Sequence, residues 1–468
     1  VQFPVRACVL IVALGLLPAT PAHAWWNCSW TQRAPLAVTA PAPATGAIVE
    51  AVLGPAALPG YAWGGADADL RIVDADDLTV LPHYSEPRTG GVQRLRVWFR
   101  VPAVGAAPRR VYVYYGNASA GTVSNAALFT TVGVRLLTRR QTGPATGTLA
   151  GFLGQFDGAS QPAGYGCAVL PDYVGENNAT RFGATANVHY STLFFLDVPS
   201  NRTGQYSFRY GADFGYGGGL YVNGQAIEQR WGTDLWWNGS WSSAGQTLEG
   251  TVSLPAGRHL VAVYGTEDCC EGLQTLQVRR GNGNWQDLNT ANFTLVAPSC
   301  PVPGLAQARV DDAGDVDVSQ AVETVRDPVR GTAAPKSIPG ALKRWTVRVV
   351  DGGNARALDV DSIRVVVPVP AGTALHVGDL APGAGPVAFV DGTPASGLTY
   401  AYAGLGSPTD DLDFSRDGAA SWGYVPVPGA NGTDPNVTHL RVRPRGRPSC
   451  STAASPGSFE LRFDTALR

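Results

Sequence analysis

The densest group of side chains suited to ligand contact is Trp231, Trp236, Trp237 and Trp241, with Asp234 and Asn238 between them. Flat indole faces stack on the C–H faces of sugars, and neighbouring carboxylates or amides bond the hydroxyls. Trp236 and Trp237 are adjacent, so on a strand one is buried and one exposed. Core packing is the competing use for half of these indoles. With Asp213 added, the candidate ligand contacts are Trp236, Trp237, Trp241, Asp234 and Asp213. Carboxylates such as Asp213 and Glu267 have the chemistry for glycoside hydrolysis, but that needs a set separation across a cleft, which spacing in sequence does not fix.

Other chemistries leave little trace. There is no H-E-x-x-H, C-x-x-C or G-x-S-x-G, and no Gly-rich phosphate loop. His83, His189, His259, His376 and His439 are scattered along the chain. The acidic runs Asp74/Asp76/Asp77, Asp311/Asp312/Asp315/Asp317 and Asp410/Asp411/Asp413 offer oxygens without the spacing of a calcium loop and read as solvated turns. No catalytic residue, metal ligand or cofactor is therefore expected, and calcium has no motif behind it.

The elements that would hold these residues are strands. The chain has 468 residues, 57 of them Gly and 35 Pro, yet 44% are hydrophobic and only 15% charged. That mixture fits many short strands joined by tight turns and does not fit coiled coils or a disordered chain. A net charge of -2 gives no basic field for nucleic acid. Leu95–Val101, Val111–Tyr115, Gly204–Tyr210, Lys343–Val350 and Ser362–Pro370 all have strand character, and helical periodicity is missing. The expected fold class is all-β, as tandem β-sandwich modules.

Residues 1–24 read as a secretory signal, with Arg6, the apolar run Ala7–Leu17 and the cleavage site Ala22-His23-Ala24. No later run reaches membrane-spanning length, so an exported product is expected, periplasmic, cell-surface or secreted. Six Cys follow: Cys28, Cys167, Cys269, Cys270, Cys300 and Cys450. An even number in an exported chain suggests disulfides, with fifteen connectivities open. Cys300–Cys450 is the preferred clasp, because the two bracket the last module. Cys269 and Cys270 either join each other or pair elsewhere, and Glu267, Asp268 and Glu271 lie alongside.

Family resemblances divide the chain further. Trp25-Trp26-Asn27-Cys28-Ser29-Trp30, Ala68–Asp74 with Leu81-Pro82, and Val111–Asn117 resemble the family called domain of unknown function 2341, which implies an exported multi-modular surface protein and no stated chemistry. Leu220-Tyr-Val-Asn-Gly224 and Leu254-Pro-Ala-Gly-Arg-His259 resemble the protective-antigen-type β-sandwich of adhesins and glycosidases. Adhesins of that type bind calcium through adjacent aspartates at the sugar site. Here Phe214 follows Asp213, so the adjacent pair is absent. Val322–Gly331 and Pro335–Ala341, ahead of a long strand, resemble the immunoglobulin-like repeats of bacterial surface proteins. Ser415-Arg-Asp-Gly-Ala-Ala-Ser-Trp422 resembles an Asp-box, a structural turn, with Ala419 where that pattern has Gly.

The modules are set at residues 25–125, a linker at 126–145, and further modules at 146–297 and 298–468. The expected function is surface or extracellular binding or scaffolding, with a glycan or envelope surface as partner. The alternatives are a secreted glycoside hydrolase and an accessory subunit of a pilus or envelope assembly.

Overall fold

The structure, a computed structural model, describes residues 9–11, 25–64, 67–88, 91–242, 245–301, 306–309, 316–351, 361–429, 431–450 and 456–468. It is all-β: strands make up 46% and helices 5%, in several antiparallel sheets. Of the expected leader, only the short strand Val9–Ile11 falls among the described residues. No described helix is long and apolar enough to cross a membrane.

The chain forms two compact units, Trp30–Ala75 with Val80–Val310, and Val1–Ser29 with Asp76–Thr79 and Asp311–Arg468. The first holds two sandwiches. In one, a sheet ordered Ala306–Arg309, Gln32–Thr39, Arg109–Tyr115, Arg71–Asp74, Val80–Leu81 shares a core with the sheet Ile48–Leu53, Leu95–Arg100, His83–Ser85. Val111, Val113 and Tyr115 point into that core, as strand alternation requires. Tyr112 and Tyr114 lie on the other face, where the Arg33 guanidinium sits 4.2 Å from the Tyr112 ring centroid.

The other sandwich carries the Trp cluster. Its larger sheet is built on Val188–Val198, which pairs with Gly257–Glu267 over their full length. Gly217–Val222 and Gln225–Trp231 continue the sheet. The smaller sheet is ordered Thr247–Leu254, Gly204–Gly211, Thr275–Arg280, Gln286–Asp287. Phe194 and Leu196 from one sheet and Phe208, Tyr210 and Val278 from the other meet in the core. Leu193 and Phe195 face outward, yet they are buried under the helix Leu149–Gly158 through Phe152 and Phe156. The central strand is thus apolar on both faces, which explains its unbroken hydrophobic run. Thr148 caps the helix, its side chain accepting from the Gly151 N–H at 3.2 Å.

The expected linker is corrected. Within residues 126–145, Val134–Arg140 is an inner strand, paired with both Val188–Val198 and Cys167–Leu170. Its Leu136 and Leu137 enter opposite cores, and Arg135, fully buried, meets Glu50 at 2.6 Å. This strand also removes the expected break between the first two modules. Tyr84 and Trp98 of the first sandwich meet Phe129 edge to face, and Tyr84 meets Phe195 likewise, ring centroids 5.1 to 5.6 Å apart, in one shared cluster.

The second unit is a separate sandwich. Ser458–Leu467 lies inside a sheet between Leu342–Asp351 and Thr373–His376, and Val387–Asp391 also pairs with it. Arg364–Pro368, His439–Val442 and Leu412–Ser415 form the facing sheet, and Val347, Val365, Leu440 and Leu461 fill the core. Val316–Arg326 is itself a long strand, and the turn between it and Leu342–Asp351 is fastened. Asp327 accepts from the Val329, Arg330 and Lys336 N–H groups at 2.8, 2.5 and 2.6 Å. The Asp-box is likewise a turn: Asp417 accepts from Ser415 Oγ at 2.7 Å and from the Ser421 N–H at 2.9 Å. Ala419, in the Gly position of that pattern, adopts φ +71°.

The expected Cys300–Cys450 clasp is also corrected. The bonds are Cys28–Cys450 and Cys167–Cys300. Cys167 sits on the strand beside Val134–Arg140, so Cys300 closes onto that sheet and not onto the last module. Cys269 and Cys270 are exposed free thiols.

Candidate functional site

One end of the second sandwich gathers most of the residues singled out from sequence. Asp213–Phe214 pairs antiparallel with Leu235–Trp236, which sets Asp213 opposite Trp236. Phe214 and Leu235 are fully buried and hold the pair to the core. Trp236 is left 70% exposed, while its neighbour Trp237 is 6% exposed. Trp237 lies against Gly211, where an added Cβ would run into the indole. Glycine is required there by close approach.

Trp237 and Trp241 lead away from that end, onto the outer face of the smaller sheet. Their ring centroids are 4.7 Å apart. The Arg209 guanidinium then lies 4.2 Å from the Trp241 centroid and 4.3 Å from that of Trp285, and Arg279 lies 4.5 Å from Trp285. This is a ladder of stacked indoles and guanidiniums. Arg209 and Trp285 were not among the residues singled out from sequence. Outward alternation along Gln205, Ser207 and Arg209 was a signal, but Trp285 lies far along the chain. Trp231 belongs to neither group. Its Nε1 donates to the Tyr221 hydroxyl at 3.0 Å, and its ring stacks near Phe152.

Around Trp236 the chemistry is acidic. Glu267 ends the long strand and is 3% exposed. It accepts from the Gly215 N–H at 2.7 Å and the Cys269 N–H at 3.0 Å. Burial, with Asp213 and Asp268 nearby, pushes its carboxyl up to about 7. Asp213 accepts from the Gly272 N–H. Burial raises its carboxyl as well, and Asp234 and Asp268 add to the effect. Glu271 accepts from the Asn178 N–H at 2.8 Å and from that of Ala179, and burial raises it to about 7. Asp213, Asp234, Asp268 and Glu267 thus share one electrostatic neighbourhood beside an exposed indole. Of the residues singled out from sequence, the structure brings together Asp213, Asp234 and Trp236, and sends Trp237 and Trp241 elsewhere.

Glu267, Asp268 and Cys269 each offer a ligand atom, all within 4.8 Å of one another. Calcium takes six to eight oxygens. Three groups, one a thiol and one a carboxylate already holding two backbone amides, do not make that shell. The other acidic runs are engaged locally. Asp74 pairs with Arg109, Asp76 accepts from the Leu78 and Thr79 N–H groups, and Asp411 and Asp413 pair with Arg445, Arg443 and Arg441. Asp311, Asp312 and Asp315 lie outside the described residues.

Behind the acidic end lies a small cavity lined by Phe152, Gln155, His189, Tyr216, Trp231 and Thr266. Burial pushes the His189 ring down to about 4, so it is neutral at physiological pH. His189 Nδ1 lies 2.8 Å from Thr266 Oγ1. In the other unit, a small cavity has a mainly apolar wall with Asp351 as its one carboxylate. Neither cavity is lined by a pair of carboxylates.

Residues 67–132 match the family described as Domain of unknown function (DUF2341). The match covers most of the first sandwich from Arg71–Asp74 onward and ends at the short strand Thr131–Val132. No curated protein matches. Among solved structures, the chain is similar to the epithelial adhesin 9 A domain from Candida glabrata in complex with Galb1-3GlcNAc. That match has 9% identity and a TM-score of 0.25, covering 37% of this chain and 92% of the adhesin domain. The epithelial adhesin 6 A domain from the same organism gives 11%, 0.25, 40% and 94%. An anti-sigma factor domain-containing protein from Clostridium clariflavum gives 11%, 0.23, 72% and 92%. At these TM-scores the likenesses carry no argument about function.

Proposed function

We propose that this chain is an exported surface or extracellular binding protein whose second sandwich contacts glycan at its acidic end. The observation that carries this reading is Trp236, an indole 70% exposed and held in register opposite Asp213. An exposed indole costs solvation unless something covers it, and a pyranose C–H face is a suitable cover. Asp234, exposed, and Asp268, half-buried, would accept from ring hydroxyls, two at once for each carboxylate, with Asp213 buried behind the indole. Phe214 and Leu235 are the buried support of that platform, and Trp237 and Trp241 belong to the ladder with Arg209. The two disulfides fit an oxidising compartment, which supports export.

The test is a glycan array probed with the full chain, followed by retention on the best ligand for Trp236→Ala and Asp234→Asn. The expected result is selective binding that weakens tenfold or more in Trp236→Ala. An array with no ligand above background, or retention unchanged in Trp236→Ala, overturns the reading.

A further inference from the structure

Two thiols stand beside the acidic end. Cys269 and Cys270 are adjacent and exposed, and their Sγ atoms lie 2.8 Å apart. A disulfide bond is about 2.05 Å long, so closure needs less than an ångström of approach. Cys270 already holds φ +61°, a left-handed conformation unusual for a side chain of this kind. The other four described Cys are joined in pairs, which leaves these two only each other among the described residues.

The loop that carries them is anchored at both ends. Upstream, the Cys269 N–H donates to Glu267. Downstream, Glu271 accepts from the Asn178 and Ala179 N–H groups, and the Gly272 N–H donates to Asp213. The same six residues, 267–272, therefore hold the two thiols and fix three carboxylates of the candidate site.

We propose that Cys269 and Cys270 close into a vicinal disulfide by exchange with a small-molecule disulfide, and that closure sets the carboxylate loop beside Trp236. The chemistry balances. One thiolate attacks the small disulfide and releases one small thiol, and the second protein thiolate displaces the other. Two protein S–H bonds become one S–S bond, and the small disulfide is reduced to two thiols. Adjacent residues have Cα atoms about 3.8 Å apart, below the usual range for a bridged pair of about 4.4–6.8 Å, so the ring is strained and easily reduced. Strained, exposed disulfides are the labile ones, whereas Cys28–Cys450 and Cys167–Cys300 span ordinary separations, with Cα atoms 5.7 and 5.6 Å apart. Disulfide formation stands on the geometry alone, and only its effect on ligand rests on the glycan reading above.

The experiment equilibrates the full chain with oxidised glutathione, blocks remaining thiols with iodoacetamide and digests with trypsin. Cleavage after Arg258 and Arg279 gives one peptide holding both Cys269 and Cys270 and no other Cys. The expected peptide is unalkylated and lighter by two hydrogens, and graded reductant opens it before the other two disulfides. A peptide carrying two alkyl groups, or a stable glutathione adduct, overturns the proposal. So does a ring that survives reductant sufficient to open the other two. In a second arm, glycan retention is compared for oxidised and reduced protein and for Cys269→Ser/Cys270→Ser. A change of about fivefold or more on reduction, missing from the double variant, is expected. A ring that forms without changing retention overturns the control and leaves glycan binding standing. No retention in either state overturns glycan binding, while the peptide mass still decides the disulfide.

Discussion

Replacing Glu267 by Gln removes a proton that the folded chain holds and the unfolded chain releases. Burial, with Asp213 and Asp268 nearby, puts the folded carboxyl at about 7, against 4.5 for a free one. Below about pH 4.5 both states are protonated and the group is neutral to stability. Between the two values the native state keeps the proton, so stability falls as pH rises, by up to about 1.4 kcal/mol per pH unit. The whole effect is at most about 3 kcal/mol and is complete once pH passes the folded value. Wild type alone hides this, because His189 works the other way. Its ring is held at about 4 against 6.5, so its contribution is lost as pH falls through the folded value and regained as pH rises. The difference between Glu267→Gln and wild type isolates the carboxyl. The amide keeps one acceptor oxygen for the Gly215 and Cys269 N–H groups, a pH-independent cost of about 1 kcal/mol. Urea unfolding followed by tryptophan fluorescence from about pH 5 to about pH 8 should show the variant gaining on wild type by about 2–3 kcal/mol. A difference that stays constant across that range would show that the two amides keep Glu267 ionised, and would refute the reasoning.

Five further substitutions test the frame around the site. Trp237→Ala should cost about 3–5 kcal/mol in unfolding free energy, whereas exposed Trp236→Ala should stay within about 0.5 kcal/mol, both read by denaturant melts. Glu50→Gln should cost about 3–5 kcal/mol, because it takes from fully buried Arg135 its carboxylate partner among the described residues and from Arg96 one of three. Adding Arg135→Met should recover at least about 1 kcal/mol in a double-mutant cycle. Cys167→Ser opens a loop whose ends lie 133 residues apart and should cost at most about 5 kcal/mol, with non-reducing peptide mapping of the parent chain showing Cys167 joined to Cys300.

What the sequence made legible was local. The turn Asn223-Gly224 joins Gly217–Val222 to Gln225–Trp231 with both residues at positive φ, +49° and +79°, the conformation such a dipeptide signals. Its partner motif meets it in space. His259 Nδ1 lies 3.0 Å from Asn223 Nδ2, and the Leu260 N–H donates to Asn223 Oδ1 at 3.0 Å. What escaped was non-local. Val134–Arg140 carries three arginines and reads as a solvated connector until Glu50, 85 residues away, is seen to neutralise Arg135. The Cys28–Cys450 bond joins residues 422 apart, and bracketing a module gives no access to such a pairing. Trp241 and Trp285 gained their shared cation, Arg209, in the same way.

The acidic end departs from how the rest of the chain treats its carboxylates. Asp74, Asp413, Asp411 and Asp464 each meet an arginine at close range. Glu50 does so while mostly buried: desolvation pushes its carboxyl up, but Arg135 and Arg96 outweigh it and hold it at about 2. Asp213, Glu267 and Glu271 have no cation among the influences on them, and all three carboxyls are raised. Among the described residues their compensation is the backbone amides of Gly215, Cys269, Gly272, Asn178 and Ala179. Buried carboxylates without cations cost stability, and folded chains concentrate such costs where something other than folding is served. That the exposed indole Trp236 and the thiols Cys269 and Cys270 stand at the same end makes a binding role a better account of the cost than poor packing, since Phe214 and Leu235 beneath the indole are fully buried.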